Sequence, residues 1–305
     1  MTEHTVPTKA EVESYLRDHR NWGRWGDKGS AGAINLITPE KRRTAAALVR
    51  SGRTVSLSRP FPVTPSQENP QPAQHFMMKN DRPGGWGSAT DYYGIRYHGV
   101  ATTHIDALCH MWNADGMWDG RDPDDTITSS GSTYGTIDQW SDGILTRGVL
   151  LDVPKHRGRP YVTLEEPVQG WELDEIVRRS GVTLEPGDAV MVYSGREAYA
   201  QDHNGAWGGG PERAGLHASC LPFIRHNDIS ILGWDMMDAQ PNEYDMPWSV
   251  HAVLFTYGVA LLDNALLQPL AEACAQEATY EFMLTINPLR VIGGTGSPVN
   301  PIAVF

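Results

Sequence analysis

Three short apolar runs, at residues 189–193, 229–234 and 259–262, are each bounded by turn-forming residues. Such runs read as buried strands. Helical patterns lie around them at 173–179, closed by Gly181, at 266–275, and at 215–225 just before the second run. Nearer the start, Thr38-Pro39-Glu40 opens a helix: the threonine can cap, proline suits the first helical position, and apolar Ala45, Leu48 and Val49 follow before Gly52 closes it. Residues 54–57, 95–97 and 148–153 read as further strands, and a weakly alternating tail begins at Tyr280. Strands and helices alternate in the middle while both ends add strands. The expectation is one α/β domain with a mixed sheet over residues 1–305, carrying an N-terminal arm to about residue 35, although the length would accommodate two domains of ~150 residues. The Pro/Gln/Asn-rich stretch 60–85 is too polar for a core and reads as an active-site loop or an oligomer arm.

Composition narrows the partners. The 25 Lys+Arg against 37 Asp+Glu give a formal charge of −12, which weighs against nucleic acid and anionic membranes, since both need a basic face. No run approaches the ~18 apolar residues that span a bilayer. The start of the chain lacks a signal peptide's basic and apolar regions. Three cysteines, Cys109, Cys220 and Cys274, make neither a disulfide framework nor a CxxC pair. A reducing cytoplasm is the expected compartment.

The chemistry concentrates between Tyr97 and His110, where three histidines and one aspartate fall close together: His98, His104, Asp106 and His110. Side chains at i and i+2 of an extended chain share a face, so His104 and Asp106 project together. Imidazole nitrogen with carboxylate oxygen suits zinc or manganese. His98 has the same parity and reaches that face if the backbone bulges between. Any one histidine is more often a satisfied polar residue than a ligand; a His-x-Asp pair with two further histidines is harder to assign to chance.

The run Thr103-His104-Ile105-Asp106-Ala107-Leu108-Cys109-His110 resembles the signature H-x-G-T-H-x-D-x-P-x-H of the cyclase superfamily of metal-dependent hydrolases, which includes bacterial kynurenine formamidase and isatin hydrolase. Asn21–Gly26, Asn35–Glu40, Leu232-Gly233-Trp234-Asp235, Gly296-Ser297-Pro298 and Pro301-Ile302-Ala303 extend the likeness over nearly the whole chain. The resemblance implies a swivelling β/β/α fold, His104 and Asp106 as metal ligands, and His110 as general base or acid. It adds His251 and, twelve residues on, Asp263 to a site for one or two divalent ions, zinc or manganese. It also implies a homodimer or homotetramer. Three departures stand out: Val100 occupies the place of the first histidine, with His98 as the substitute ligand; Asp263 stands where the family has glutamate; and Leu108 replaces the usual proline.

A divalent ion lowers the pKa of a bound water towards ~7, and a neighbouring histidine can take the proton. The implied activity is therefore hydrolysis of a small molecule, at a non-peptide C–N bond of an aryl formamide or cyclic amide, or at a lactone. A cyclase or dehydratase using the same site is the first alternative, and a non-catalytic binding protein the second. His217, Trp86 and Trp112 are candidate substrate contacts, the tryptophans as walls for a flat molecule. Asp235 and Asp238 are candidate partners of a ligand histidine or ordinary turn residues. Cys109 lacks basic neighbours in sequence and reads as core. Gly294–Pro298 lacks the third glycine of a nucleotide loop, and Ser194 lacks a G-x-S-x-G elbow.

Overall fold

The structure is a computed structural model that describes residues 5–305. The first four residues of the expected N-terminal arm lie outside that range.

Strands β1 (Thr54–Ser56), β2 (Gln74–Asp81), β3 (Gly87–Gly94) and β4 (His104–Asp106) come first. They are followed by β5 (Ile127–Thr128), β6 (Gly131–Ser132), β7 (Ile144–Asp152), β8 (Ala189–Tyr193) and β9 (Ile231–Trp234). The last four are β10 (Ala260–Asp263), β11 (Glu281–Ile286), β12 (Gly296–Pro298) and β13 (Ile302–Val304). Among the described residues nine of these form one mixed sheet, in the order β1-β13-β11-β7-β8-β9-β10-β4-β12. Its centre, β7 to β10, is parallel; every pairing outside it is antiparallel. This is the expected mixed α/β architecture. The apolar run of β8 is buried along its whole length, and β9 and β10 likewise. β11 instead alternates between half-buried and buried positions, as a strand covered on one face does.

The helix Pro39–Ala46 starts as its sequence dictates, with Thr38 Oγ1 accepting from Lys41 N at 3.2 Å and proline in the first turn. It ends six residues before Gly52. The helix Gly170–Ser180 ends on left-handed Gly181 (φ 71°), as read from the sequence.

Two expectations, a strand and the start of a helix, are corrected. Residues 95–97 are not a strand; the extended segment ends at Gly94, and 95–98 run irregularly into His98. Residues 215–219 are not helical, because Leu216 bridges to Val168 and Asp238; the helix there is Cys220–His226. Within 60–85 lies half of a hairpin, β2 paired to β3 over eight residue pairs and separate from the main sheet. The described part of the N-terminal arm folds onto its own body: Val12 and Leu16 of the helix Lys9–Asp18 are buried, and Trp22 Nε1 donates to Phe255 O at 2.7 Å.

No helix among the described residues is long and apolar enough to cross a membrane. All three cysteines are free and buried, and burial pushes the Cys109 thiol up to about 11, which agrees with its reading as core.

Candidate metal centre

β4 is only three residues long, yet it sits between β10 and β12 and is fully buried. Alternation turns His104 and Asp106 to one face and Ile105 to the other. The antiparallel register sets Asp263 of β10 opposite His104, and directly opposed residues share a face at about 5 Å between Cβ atoms. His104 Nε2 accordingly lies 3.2 Å from Asp106 Oδ1 and 3.9 Å from Asp263 Oδ2. His104 Nδ1 donates to Thr102 O at 2.8 Å, which fixes the ring and leaves Nε2 facing the carboxylates. Across the other ladder Gly296 faces Asp106, and a Cβ there would meet the Ile105 carbonyl at 2.5 Å and His98 Cε1 at 3.2 Å. Only glycine lets β12 approach so closely.

His98 reaches the same cluster although six residues separate it from His104. Its Nδ1 lies 2.9 Å from Asp106 Oδ1, while Nε2 pairs with Thr295 Oγ1 at 2.9 Å. The bulge that this requires is the irregular segment 99–103, entered through Gly99 at φ 148°. Distant residues hold it: Asn264 Nδ2 donates to Gly99 O at 2.7 Å and Thr102 O at 3.0 Å. Thr103 Oγ1 donates to Asn264 O at 2.8 Å, and the buried Arg196 guanidinium donates to Val100 O and Asn264 Oδ1. Val100, at the family's histidine position, thus turns its carbonyl to Arg196. His110 returns after the turn closed by its N–H on Ala107 O, stacks on His98 at 3.7 Å between ring centroids, and brings Nε2 to 3.9 Å from Asp106 Oδ2.

His251 enters from another segment. Its Nδ1 pairs with Asp238 Oδ2, and its Nε2 lies 3.2 Å from Asp263 Oδ2. Asp263 Oδ1 accepts from Trp234 Nε1 at 2.5 Å. Asp238 is therefore the partner of His251, whereas Asp235 accepts the backbone N–H groups of Ser194, Gly195 and Arg196 and belongs to a turn.

Two groups of three could each surround an ion, their ligand atoms lying within 4.8 Å of one another: His98, Asp106 and His110, and His104, Asp106 and Asp263. Asp106 is common to both. Both Asp106 oxygens and His98 Nδ1 are buried without a well-directed hydrogen bond, even though the pair stands 2.9 Å apart. Uncompensated buried polar atoms are costly. Polar atoms this close, yet not aimed at each other, suit a cation between them. His251 touches this arrangement through Asp263.

The protonation pattern follows. Burial alone would lower His104, but Asp106 and Asp263 outweigh it and raise its pKa to about 9. His251 is driven well above its ordinary value against burial, by Asp238 and Asp263. Asp106 is held well below the usual carboxylate range by the facing His110 and His104 despite its burial. His110 goes the other way: burial, with His98, His251 and His104 around it, pushes it down to about 4 against the pull of Asp106.

A cavity of about 380 Å³ opens beside the cluster, lined by His98, Tyr97, Val100, Thr102, Glu68 and Trp248 among others. That is within the usual span of small-molecule sites. Trp248 packs edge-on to His251 at 4.9 Å, so one ring walls both the cavity and the cluster. Sequence reading did not single out Trp248, Thr102, Thr295, Asn264 or Arg196. Trp248, three residues before His251, carried the one available signal.

The expected ligands His98, His104, Asp106, His251 and Asp263 thus converge, and His110 joins them. The three expected substrate contacts fare otherwise. His217 is 4 % exposed, with Nδ1 accepting from Ser219 N at 3.1 Å and Nε2 engaged by Tyr244 and Glu243, so it is a packing residue. Trp86 stands at the tip of the β2–β3 hairpin, 77 % exposed and seven residue steps from its base, about 24 Å at strand spacing. It does not line the cavity of its own chain. Trp112 is 49 % exposed in the loop just after His110 and is not among the cavity-lining residues.

The family model described as "Putative cyclase" matches residues 54–241, more than half of the chain. No curated protein matches it. Among solved structures, one of a novel cyclase is 29% identical with a TM-score of 0.82, covering 94% of this chain and 99% of that one. Isatin hydrolase A from Ralstonia solanacearum shares the fold at a TM-score of 0.56 and 17% identity, covering 83% and 92% of the two chains. An isatin hydrolase bound to the product analogue thioisatinate does so at 0.54 and 14%, covering 88% and 97%. With the family model matched over residues 54–241 and the mixed sheet shared with the novel cyclase, the chain belongs to the Cyclase family.

Proposed function

We propose that this chain is a metal-dependent hydrolase of small molecules, opening an amide or lactam (an aryl formamide or a cyclic amide) or a lactone. The observation that carries the reading is the buried, poorly hydrogen-bonded Asp106 carboxylate at the meeting point of His98, His104, His110 and Asp263. A divalent cation held by these groups, zinc or manganese by the nature of the donors, would supply Lewis acidity and an acidified water. His98, His104, Asp106 and Asp263 would hold it, and Asp238 would keep His251 oriented beside them.

The chain's own groups then divide the work. His110, neutral at pH 7, accepts a proton from the attacking water at Nε2 and returns it to the leaving nitrogen or oxygen. Its stacking on His98 fixes the ring plane, so the proton moves along one direction. Trp248 and Tyr97 present flat surfaces for an aromatic or cyclic substrate in the cavity. Among the described residues no serine elbow or reactive thiol accompanies the cluster, and water suffices as nucleophile.

Elemental analysis of the purified protein should find about one or two zinc or manganese ions per chain. Isatin, formanilide and a simple lactone should then be tested for ring opening or deformylation. Full turnover after chelation, or metal present with every hydrolytic assay negative, would overturn the proposal; the second outcome would favour a cyclase or dehydratase.

A further inference from the structure

Arg213 is an exception among the arginines of this chain. Among the described residues, every other arginine that is not exposed pairs with a carboxylate, as Arg147 does with Asp188, Arg157 with Glu172 and Arg196 with Glu68. Half-buried Arg213 pairs with none, although the chain holds 37 acidic residues against 25 basic ones. Its Nε is closed to solvent and lacks an acceptor, whereas Nη1 and Nη2 are not so enclosed. A donor left unmade in the interior is costly, and more so when charged. Burial accordingly lowers the Arg213 pKa, opposed by the field of Asp238. Asp238 cannot serve as the missing partner, because its oxygens already accept from Val250 N and His251 N and pair with His251 Nδ1.

The guanidinium lies 4.3 Å over the ring of Trp248, the tryptophan that walls the cavity beside the metal ligands. Its backbone is fixed there: Arg213 N donates to Gln240 O at 2.7 Å and Gln240 N to Arg213 O at 2.9 Å, which ties it to the segment bearing Asp238. The cavity itself leans positive within a chain of formal charge −12. Glu68 is the one carboxylate lining it, and Glu68 Oε1 is spent on Trp207 N at 2.9 Å, Gly208 N at 2.7 Å and the Arg196 guanidinium at 3.1 Å. Arg96 also lines the cavity, exposed and hydrogen-bonded to the neutral Gln71 Oε1 at 2.9 Å.

Resting on the hydrolase reading of this cavity, we infer that the substrate carries a carboxylate and that Arg213 is the residue that selects it, with Arg96 assisting at the exposed side. A planar ring held at Trp248 sets its substituent within reach of the guanidinium, and the two oxygens of a carboxylate match that fork of N–H donors. A neutral substrate would leave Arg213 as unpaired as before, and a cationic one would be repelled by it. The acidic chain as a whole repels an anion, so capture needs local cations that are not already neutralised, and these two arginines meet that condition. The rival role for Arg213 is a prop that holds Trp248 through the cation–π contact. A prop serves neutral and anionic ligands alike, and that difference separates the two roles.

Two matched pairs test this on the purified full chain: formanilide against 4-formamidobenzoate as substrates, and benzamide against benzoate as ligands in titration calorimetry. The wild type should favour the charged member of each pair by about 10–100-fold, in kcat/KM and in Kd. Arg213→Gln should lower kcat/KM for 4-formamidobenzoate about 10–100-fold more than for formanilide, chiefly through KM, and weaken benzoate by a similar factor. Arg213→Lys should keep part of the preference, since it restores the charge without the fork, and Arg96→Gln should cost less than Arg213→Gln. A wild type without preference in either pair would overturn the inference, and this arm decides even if the Arg213 variants fail to fold. Equal losses for both substrates would assign Arg213 to the prop, and benzoate affinity indifferent to Arg213→Gln would assign the carboxylate to the metal alone; either overturns the inference. Benzoate held in an Arg213-dependent way with no hydrolysis of either anilide would count against the hydrolase reading while upholding carboxylate capture. Formanilide hydrolysed with benzoate and benzamide bound alike would do the reverse.

Discussion

Raising the pH from 7 to 9 should strengthen metal binding sharply. In the metal-free fold His104 holds its proton up to about 9, because Asp106 and Asp263 face it in a buried setting. A cation accepts only the neutral imidazole, so binding at pH 7 must first displace that proton. Two pH units below the pKa, this costs about 3 kcal/mol, on the order of a hundredfold in apparent affinity. His251, raised in the same direction, adds to the dependence if it sheds its proton as well. Competition with a chelator at pH 7, 8 and 9 should show affinity rising about tenfold per unit and levelling near 9. Titration calorimetry in two buffers of different ionisation enthalpy should show about one to two protons released per ion at pH 7. The metal-free protein should behave oppositely. A histidine raised in the folded state contributes stability fully present below its unfolded pKa near ~6.5 and lost as pH climbs through about 9. Its melting temperature should therefore fall between pH 7 and 9 as the metal-loaded form's rises or holds. An affinity flat from pH 7 to 9, with no proton release, would refute the account of His104.

His110→Ala should lower hydrolytic turnover by about 10²–10⁴-fold, measured at saturating metal so that loss of a neighbouring donor is separated from loss of the base. Asp238→Ala strips His251 of its orienting carboxylate and should weaken metal affinity about 10–100-fold in chelator competition. Asn264→Asp replaces two donors to Gly99 O and Thr102 O by a carboxylate; denaturant unfolding should show a loss of about 2–3 kcal/mol, with weaker metal uptake as the segment carrying His98 loosens. Gly215→Ala places a methyl group against the Met237 carbonyl, a backbone atom that cannot swing aside, and should destabilise by about 3 kcal/mol or more in the same assay.

Local rules carried much of this structure. The cap at Thr38, the end at Gly181 and the buried strand at 189–193 are each decided by a few adjacent residues. The shared face of His104 and Asp106 needed only strand periodicity. His98 was a different matter: the path of 99–103 is held by Asn264 and Arg196, remote in sequence, so its reach followed from tertiary contacts. The hairpin was illegible for the converse reason. A ribbon that buries neither face within its own chain has no alternation of apolar and polar residues to read, and the 60–85 stretch showed only polarity and proline. Ile95-Arg96-Tyr97 has β-forming side chains but no neighbouring strand to pair with, so propensity there came to nothing. His217 looked functional in isolation; Ser219, Tyr244 and Glu243 claim both its nitrogens.

The short strand bearing two of the donors is clasped on one side by residues 260–263 and on the other by 296–298, the latter about 190 positions downstream. A nascent chain on the ribosome therefore cannot finish the ion cage when the histidines emerge; it must wait for segments made much later. Loading should consequently be among the last events of maturation, and ion uptake should serve as a reporter of completed folding, with partly made chains unable to trap the ion at this site.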